Sequence, residues 1–179
     1  MKKIILLVFA TVALSGCRKD DDRCDDNLTI PRGDYTGAQL KMDGFYFGDV
    51  NPNSSRPFAH IYYLYRDGVF YKESEDLDKA ESGTVEVDIE NSYGKRIKQC
   101  WGVFRIGGSV IEMEHWQASI NGCESTVYMR GHISSDTAFV ITHREYRRKG
   151  KSVKTEAPNS EFRFCPLAQK PDSTNTFVK

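Results

Sequence analysis

Apolar and polar residues alternate with a period of two along much of the chain after Tyr35, and this pattern predicts β-strands with one buried face. Turn signals such as Asp43-Gly44, Asp67-Gly68 and Gly107-Gly108 separate the alternating stretches and predict tight hairpins. The predicted strands are Gly37 to Met42, Phe45 to Phe47, Phe58 to Arg66, Val69 to Tyr71, Ile97 to Ile106, Ser109 to Trp116, Glu124 to Ile133, Thr137 to Tyr146 and Glu161 to Phe164. Because two-residue turns pair neighbouring strands, the sequence predicts an antiparallel up-and-down meander.

The segment Thr84 to Glu90 fits two structures. It alternates strictly, which favours a half-buried strand, but Val85, Ile89 and Tyr93 are spaced at four, as on a helix. Strand is the preferred interpretation and helix stays open. The charged segment Glu73 to Ser82 is predicted as a loop or a short helix.

Closure of the meander is favoured on physical grounds. An open sheet leaves unpaired backbone groups along its two outer strands, and closing the sheet into a barrel removes both edges. The fold class predicted from the sequence is therefore all-β, an antiparallel meander that closes into a barrel of about eight strands.

The N-terminal pattern is different and predicts an export signal. Lys2 and Lys3 precede an apolar run from Ile4 to Leu14, which is too short to span a bilayer as a stable helix. The run leads into Leu14-Ser15-Gly16-Cys17, which resembles a bacterial lipobox. The resemblance implies that Cys17 becomes the first mature residue and carries lipid, and several acyl chains on one residue give firm membrane anchoring. An ordinary secretory signal with a chance cysteine is the alternative.

The residues after Cys17 bear on the destination of the protein. Arg18-Lys19 followed by Asp20-Asp21-Asp22 resembles the export signal of surface lipoproteins of Bacteroides-type bacteria. The resemblance implies lipid anchoring in the outer membrane with display at the cell surface. The alternatives are a periplasm-facing anchor and a charged tether that only keeps the domain solvated.

Length and charge limit the domain organisation and the partners. We expect a signal peptide over residues 1–16, a lipid-anchored tether over 17–29, one barrel domain over 30–168 and a C-terminal tail over 169–179. Without Lys2 and Lys3 the mature chain has 23 basic and 25 acidic residues, a formal charge of −2, which argues against nucleic-acid binding.

The cysteines left after lipidation of Cys17 predict two disulfides. They are Cys24, Cys100, Cys123 and Cys165, an even number in an exported protein. Three connectivities are possible. Pairing Cys24 with Cys165 and Cys100 with Cys123 is preferred, because it closes the longest loop. A metal site is disfavoured because the sequence has no CxxC or HxxxH spacing.

The strand sequences resemble those of small lipocalin-like lipoproteins of Bacteroides-type bacteria. The resemblance rests on packing motifs between Tyr35 and Phe164, among them Asp43-Gly44-Phe45-Tyr46, Tyr63-Leu64-Tyr65-Arg66-Asp67-Gly68-Val69, Trp101-Gly102-Val103-Phe104-Arg105-Ile106 and Ile111-Glu112-Met113-Glu114-His115-Trp116. It implies a lipocalin-like barrel. Gly33-Asp34-Tyr35 stands where lipocalins have Gly-x-Trp, and the lipocalin Thr-Asp-Tyr is absent.

Candidate catalytic groups do not assemble into a motif. Glu112 and Glu114 lie two apart on a predicted strand and point the same way, as paired acid–base carboxylates would, but a solvated outer face is the preferred interpretation. The histidines are scattered, no nucleophile motif accompanies them, and we interpret them as structural: His60, His115, His132 and His143. We therefore expect no enzymatic activity, no catalytic residue, no metal and no cofactor.

Tyrosines crowd the first predicted hairpins and are the candidate ligand-binding residues. They are Tyr46, Tyr63, Tyr65 and Tyr71. A tyrosine has an apolar body and a polar tip, which suits a ligand cavity or a protein interface, and core filling is the alternative.

The segment Arg147 to Ser160 is basic, then polar, and is expected to be a mobile loop, and the longest basic run of the chain begins just before it. This run contains Arg144, Arg147, Arg148, Lys149, Lys151 and Lys154. The run is interpreted as a solvated hairpin loop, with binding of anionic glycans or lipid head groups as the alternative.

Two short segments resemble acceptor sites for O-glycosylation in Bacteroides-type envelopes. They are Asp136-Thr137-Ala138 and Asp172-Ser173-Thr174. The resemblance implies modification at Thr137 or Ser173, and chance agreement over three residues is the alternative.

These observations together predict a lipid-anchored, surface-exposed, non-enzymatic binding module. Its ligand is expected to be a small molecule or a short glycan held at the barrel mouth. The alternative is a structural or interaction protein of the envelope, with an envelope protein as its partner, a filled barrel and no ligand. The interior of an eight-stranded barrel can be filled or can hold one small ligand, and the sequence leaves both possibilities open.

Overall fold

The structure, a computed structural model, describes residues 27–51, 54–85, 93–118 and 125–179. These residues form nine strands, one α-helix and two short 3₁₀ segments. The strands are β1 (Gly44–Asn51), β2 (Phe58–Leu64), β3 (Val69–Asp76), β4 (Trp101–Gly107), β5 (Val110–Gln117), β6 (Ser125–Ser135), β7 (Ala138–Arg148), β8 (Lys151–Glu156) and β9 (Ser160–Pro166). Helix α1 spans Leu77–Ser82, and the 3₁₀ segments span Tyr93–Arg96 and Lys98–Cys100.

Eight of the strands close into an antiparallel β-barrel. The hydrogen-bonded order is β6-β5-β4-β3-β2-β1-β9-β7, and β7 also pairs with β6, which completes the ring. Strands β1 to β7 follow the chain order, so the predicted all-β meander and its closure into a barrel are confirmed. Closure comes from β9, which pairs with β1 on one side and with the first half of β7 on the other.

Strand β8 lies outside the ring. It pairs with the second half of β7, from Arg144 to Arg148, and forms with it an exposed hairpin. The basic run therefore lies on a solvent-exposed β-hairpin whose register shifts between Tyr146 and Arg147, and the prediction of a mobile loop from Arg147 to Ser160 was wrong. The basic residues of β8 are interspersed with Val153 and Thr155, whose β-branched side chains suit a strand.

The barrel has a packed end and an end with a polar interior, named here the closed end and the open end. The turns β2–β3, β4–β5 and β6–β7 lie at the closed end, where aromatic and aliphatic side chains fill the interior. Tyr46, Phe139 and Phe162 are almost fully buried there, and the rings of Phe139 and Phe162 stack with centroids 5.1 Å apart. The Tyr46 hydroxyl donates hydrogen bonds to the backbone oxygens of Lys41 and Asp136.

Residues 27–43, named here the N-terminal strap, seal the closed end. The strap runs along the outside of the barrel to the β2–β3 turn, where the Tyr35 amide donates to the Arg66 carbonyl oxygen at 2.6 Å. It then crosses the closed end and places Tyr35 and Leu40 in the interior cluster. The predicted strand Gly37 to Met42 and its Asp43-Gly44 hairpin turn were therefore wrong, because these residues plug the barrel and β1 begins at Gly44.

A second hydrophobic core covers the outer face of β1 to β4. Phe45, Ile61, Tyr63 and Trp101 point outward and are buried beneath helix α1, the 3₁₀ segments, the first residues of the N-terminal strap and the C-terminal residues. The C-terminal residues contribute Val178, which is 6% exposed. Residues 169–179, predicted as a tail, are therefore packed partly against this core.

The remaining differences from the predicted elements are local. Residues 97–100 precede β4 and are not part of it, because they include the 3₁₀ segment Lys98–Cys100. Of the ambiguous segment Thr84 to Glu90, only Thr84 and Val85 are described, and neither is in a helix or strand. Glu124, the first residue of the predicted strand Glu124 to Ile133, lies outside the described residues.

Candidate binding site at the open end of the barrel

The inward-facing residues change from apolar to polar at one level of the barrel. On β2 the inward side chains run Leu64, Tyr62, His60 from the closed end to the open end. On β3 they run Phe70, Lys72, Ser74, and the two strands pair so that Tyr62 lies opposite Lys72. Because successive inward positions are two residues apart, this change makes the open half of the interior polar.

A cavity of about 210 Å³ occupies this polar half. Its lining residues come from six strands of the barrel: Asp49, His60, Tyr62, Lys72, His115, Gln117, Val127, Met129, Arg144 and Tyr146. Tyr62, Val127 and Met129 belong to the interior apolar cluster and give the cavity an apolar floor. The arrangement suits a ligand with an apolar part and a polar group.

Arg144 is fixed by carboxylates from two other strands. Its guanidinium group lies 2.6 Å from Asp49 Oδ2 and 3.6 Å from Glu156 Oε2. Irregularities in two strands place these groups: the β1 register shifts beyond Gly48, where Asp49 has φ of 52°, and the β6–β7 register shifts beside Arg130. The charge of Arg144 is therefore balanced within the protein.

Lys72 has a neutral partner. Its ammonium nitrogen lies 3.3 Å from His115 Nε2, while His115 Nδ1 lies 2.7 Å from the Trp116 carbonyl oxygen. Because a carbonyl oxygen can only accept a hydrogen bond, Nδ1 of His115 carries the ring proton, and Nε2 accepts a hydrogen bond from Lys72. Burial lowers the pKa of Lys72 to about 8, and it lowers the pKa of His115 well below its usual value, with the positive charge of Lys72 acting in the same direction.

His60 completes the polar wall on β2. Its Nδ1 lies 3.0 Å from the Ser74 hydroxyl on β3. Burial is the main reason that the pKa of His60 is lowered, so both cavity histidines are mainly neutral at neutral pH. They can donate or accept hydrogen bonds without adding charge.

The four tyrosines predicted to bind ligand lie elsewhere. Tyr46 points inward but is packed at the closed end, whereas Tyr63, Tyr65 and Tyr71 point outward into the second core. The hydroxyls of Tyr63 and Tyr71 both donate to Glu73, at 2.7 Å and 3.3 Å. None of the four lines the open-end cavity, where the tyrosines are Tyr62 and Tyr146.

Sequence reasoning missed the residues of this cavity, although a signal for them was present. Each of β2, β3 and β5 has polar inward residues in the half that lies away from its closed-end turn, namely His60, Lys72 with Ser74, and His115 with Gln117. Aligning the predicted hairpins by their turns would have brought these residues together. Arg144 could not be placed in this way, because the register of β7 shifts at a bulge.

Glu112 and Glu114 share the outer face of β5 but have different surroundings. Glu112 is paired with Arg105 at 2.6 Å near the surface. Glu114 is fully buried, so its interpretation as part of a solvated face was wrong. Its Oε2 accepts from the Thr29 amide at 2.5 Å, the Thr29 hydroxyl at 3.0 Å and the Ile30 amide at 3.0 Å, and thereby holds the N-terminal strap.

The cysteine predictions are tested only in part. Cys100 and Cys165 are free thiols and no disulfide is seen among the described residues, so the two expected disulfides are not confirmed. Cys24 and Cys123 lie outside those residues, as do Cys17, Arg18, Lys19, Asp20, Asp21 and Asp22. The lipidation and export predictions therefore stay predictions.

A wider cleft lies outside the barrel at the closed end. It has a volume of about 800 Å³ and lies between the N-terminal strap, the β2–β3 turn and the C-terminal residues. Two of the charged groups that line it are engaged with the protein itself: Asp67 pairs with Arg32 at 2.8 Å, and Lys170 donates to the carbonyl oxygens of Met42 and Leu64. We therefore place the candidate site in the barrel interior.

Comparison with known protein families, curated proteins and solved structures gives no significant match. In the part of the chain that the structure describes, no group of three or more metal-ligating side chains could hold an ion. The same residues include no helix that is long and apolar enough to cross a membrane.

Proposed function

We propose that the protein is a lipid-anchored, lipocalin-like binding module that holds a small molecule in the open end of its barrel. The observation that carries this proposal is the division of the interior. The closed half is filled with aromatic side chains, and the open half contains a cavity lined by charged and polar groups. A barrel that served only as a scaffold would gain stability from filling both halves, because burying unpaired polar groups costs free energy.

The size of the cavity limits the ligand. A volume of about 210 Å³ corresponds to about seven water molecules at roughly 30 Å³ each. Ligand pockets for drug-sized molecules are larger, at about 300–1,000 Å³. We therefore favour a small molecule, or one small group of a larger molecule such as a glycan.

Native mass spectrometry of the mature chain is the first test. The chain would be purified gently from an envelope-targeted expression, with Cys17→Ala so that it carries no lipid. We expect a discrete excess mass that is lost when the protein unfolds. A bare polypeptide mass would instead favour the alternative, an envelope interaction protein without a ligand.

The surface location is proposed from the acidic run after Cys17. Replacing Asp20, Asp21 and Asp22 with alanine is expected to reduce protease accessibility on intact cells, while the amount of membrane-bound protein stays constant. The matched control replaces Asp25 and Asp26 in the same tether. Unchanged accessibility of the triple variant would contradict surface display through this run.

A further inference from the structure

We propose that the open-end cavity binds a small organic carboxylate, whose negative charge is held by the ammonium group of Lys72. This inference rests on the proposed binding function and adds the chemical class of the ligand. It depends on three properties of the cavity: its charge balance, its hydrogen-bond geometry and its apolar floor.

Within the described part of the chain, the ion pairs at the open end leave one positive charge without a counterion. Arg144 is paired with Asp49 and Glu156, and Lys154 binds the other oxygen of Glu156 at 2.5 Å. Together with Lys72 this cluster has three cations and two carboxylates. Among the described residues, no carboxylate forms an ion pair with Lys72, so a monoanion would neutralise the cluster.

The hydrogen-bond geometry leaves N–H groups of the Lys72 ammonium available to donate to a ligand. An ammonium group has three N–H donors, and the contact of Lys72 in the cavity is with His115 Nε2 at 3.3 Å. His115 cannot turn away easily, because its Nδ1 is held by the Trp116 carbonyl oxygen at 2.7 Å. A carboxylate beside Lys72 would replace the hydration that burial has removed, and charge-assisted hydrogen bonds of this kind are among the stronger ones.

The floor favours an organic anion over a hydrated inorganic one. Val127 and Met129 are buried, and Tyr62 places its ring beside Phe70 and Phe162 at the base of the cavity. Apolar groups of a ligand would be removed from water there, which contributes roughly 25 cal/mol per Å² of apolar surface buried. The volume of about 210 Å³ admits a short aliphatic acid or a single aromatic ring with a carboxylate.

Binding is expected to depend on pH through Lys72. The charged and titratable groups around it are Arg144, Asp49, Tyr146, Tyr62, His60 and His115 in the cavity, and Cys100, whose negative charge when ionised would raise the pKa of Lys72. Because the pKa of Lys72 is about 8, the ammonium form predominates at pH 7 and is lost as the pH rises above 8. An anion that needs this form is expected to dissociate over the same range.

The test is calorimetric titration of the unlipidated mature chain with acetate, butyrate and benzoate, with inorganic phosphate, and with neutral benzamide as the matched analogue of benzoate. At pH 7 we expect one site for benzoate or butyrate and at least tenfold weaker binding of benzamide. Lys72→Met is expected to weaken carboxylate binding at least tenfold. Lys151→Met, which removes an exposed lysine on β8, is expected to leave it unchanged.

The pH dependence separates the role of Lys72 from a general charge effect. Affinity at pH 9.5 is expected to be about thirtyfold lower than at pH 7, because only the protonated fraction of Lys72 is competent to bind. Lys72→Arg keeps its charge across this range and is expected to abolish the dependence on pH.

The outcomes distinguish this inference from the broader function. Equal binding of benzoate and benzamide would overturn the anion class and leave the binding function standing. Tighter binding of inorganic phosphate than of every carboxylate would overturn the organic-acid assignment. If no carboxylate of the panel bound, the inference would be wrong, and the mass excess of the purified protein would then decide the binding function separately.

Discussion

Lys72 is expected to destabilise the empty barrel. Its pKa of about 8 lies below the usual value near 10.5, so in the folded state burial disfavours the charged form. Replacement by methionine, which has a similar length and no charge, is therefore expected to increase the free energy of unfolding by about 1–2 kcal/mol at pH 7. Urea denaturation of the ligand-free protein measures this change.

The pH dependence of the free energy of unfolding gives an independent check that the ammonium group of Lys72 is destabilising. Between pH 8 and 10.5 the unfolded chain binds a proton that the folded chain has lost, so the stability of the wild type rises with pH in this range. The advantage of Lys72→Met should accordingly shrink as the pH approaches 10. A variant that is less stable than the wild type at pH 7 would contradict the idea of a buried, uncompensated ammonium group.

His115 is expected to make the protein sensitive to acid. Burial, together with the charge of Lys72, keeps the pKa of His115 well below 6.5. As the pH falls below about 6.5, this histidine is therefore protonated in the unfolded chain but stays neutral in the folded chain. The contribution of neutral His115 to the free energy of unfolding is complete above pH 6.5 and decreases as the pH falls. Thermal unfolding at pH 7 and pH 5 should show that His115→Met loses about 1–2 kcal/mol less on acidification than the wild type.

An exposed histidine provides the control for this prediction. His132 lies on β6 with its side chain exposed, so His132→Gln should keep the acid sensitivity of the wild type. Burial also lowers the pKa of His60, so His115→Met should retain part of the acid sensitivity of the wild type. Identical pH profiles of the wild type and His115→Met would show that the cavity histidine is not the source.

At the scale of elements, the N-terminal strap depends on Glu114. This fully buried carboxylate accepts three hydrogen bonds from Thr29 and Ile30 and lies 3.5 Å from Arg147 on β7. Glu114→Ala would leave the Thr29 and Ile30 amides without their acceptor and the Arg147 guanidinium without this neighbouring charge, which we expect to cost about 2–4 kcal/mol of stability. Faster tryptic cleavage after Arg32, together with a lower urea midpoint, would measure release of the strap.

The neighbouring carboxylate on the same face is the matched control. Glu112 contacts Arg105 and Tyr128 at the surface, and a surface ion pair contributes at most about 1 kcal/mol. Glu112→Ala should therefore leave the cleavage rate after Arg32 almost unchanged. Equal effects of the two substitutions would mean that the strap is held by its other contacts, such as the Arg32–Asp67 pair.

The strap also shows where prediction from sequence ends at this scale. Residues 37–42 alternate as a strand does, but their pattern results from Leu40 pointing into the barrel and its neighbours pointing into solvent. Helix, strand and plug can share a short apolar–polar pattern, because the pattern records only which side chains are buried. Glu114 was misplaced for the same reason, since local sequence does not reveal which segment will cover a strand.

For the whole molecule, local sequence signals were sufficient to predict the barrel but not to predict the residues of its candidate binding site. Turn residues and alternation determine adjacent pairing from β1 to β7, and the cost of open edges favours closure. The closing strand β9 depends on contacts between residues distant in sequence, because it pairs with β1. The outlying hairpin β7–β8 is local, since Arg148 pairs with Lys151 across a two-residue turn. The cavity depends on register, and Asp49 and Arg144 reach it only through irregular strand pairing.

The location of the whole molecule is expected to depend on one residue. If Cys17 carries the lipids, Cys17→Ala should move the protein from the membrane fraction to a soluble envelope fraction, because the barrel's hydrophobic side chains are buried and only Val50 and Val153 are large, described hydrophobics with substantial exposure. Each buried acyl methylene contributes roughly 0.8 kcal/mol to anchoring, which two valines cannot replace. Fractionation followed by immunoblotting measures the shift, with Cys24→Ala as a control that retains the lipobox. A Cys17→Ala protein that remained in the membrane would point to attachment through a protein partner, and hence to the interaction-protein alternative.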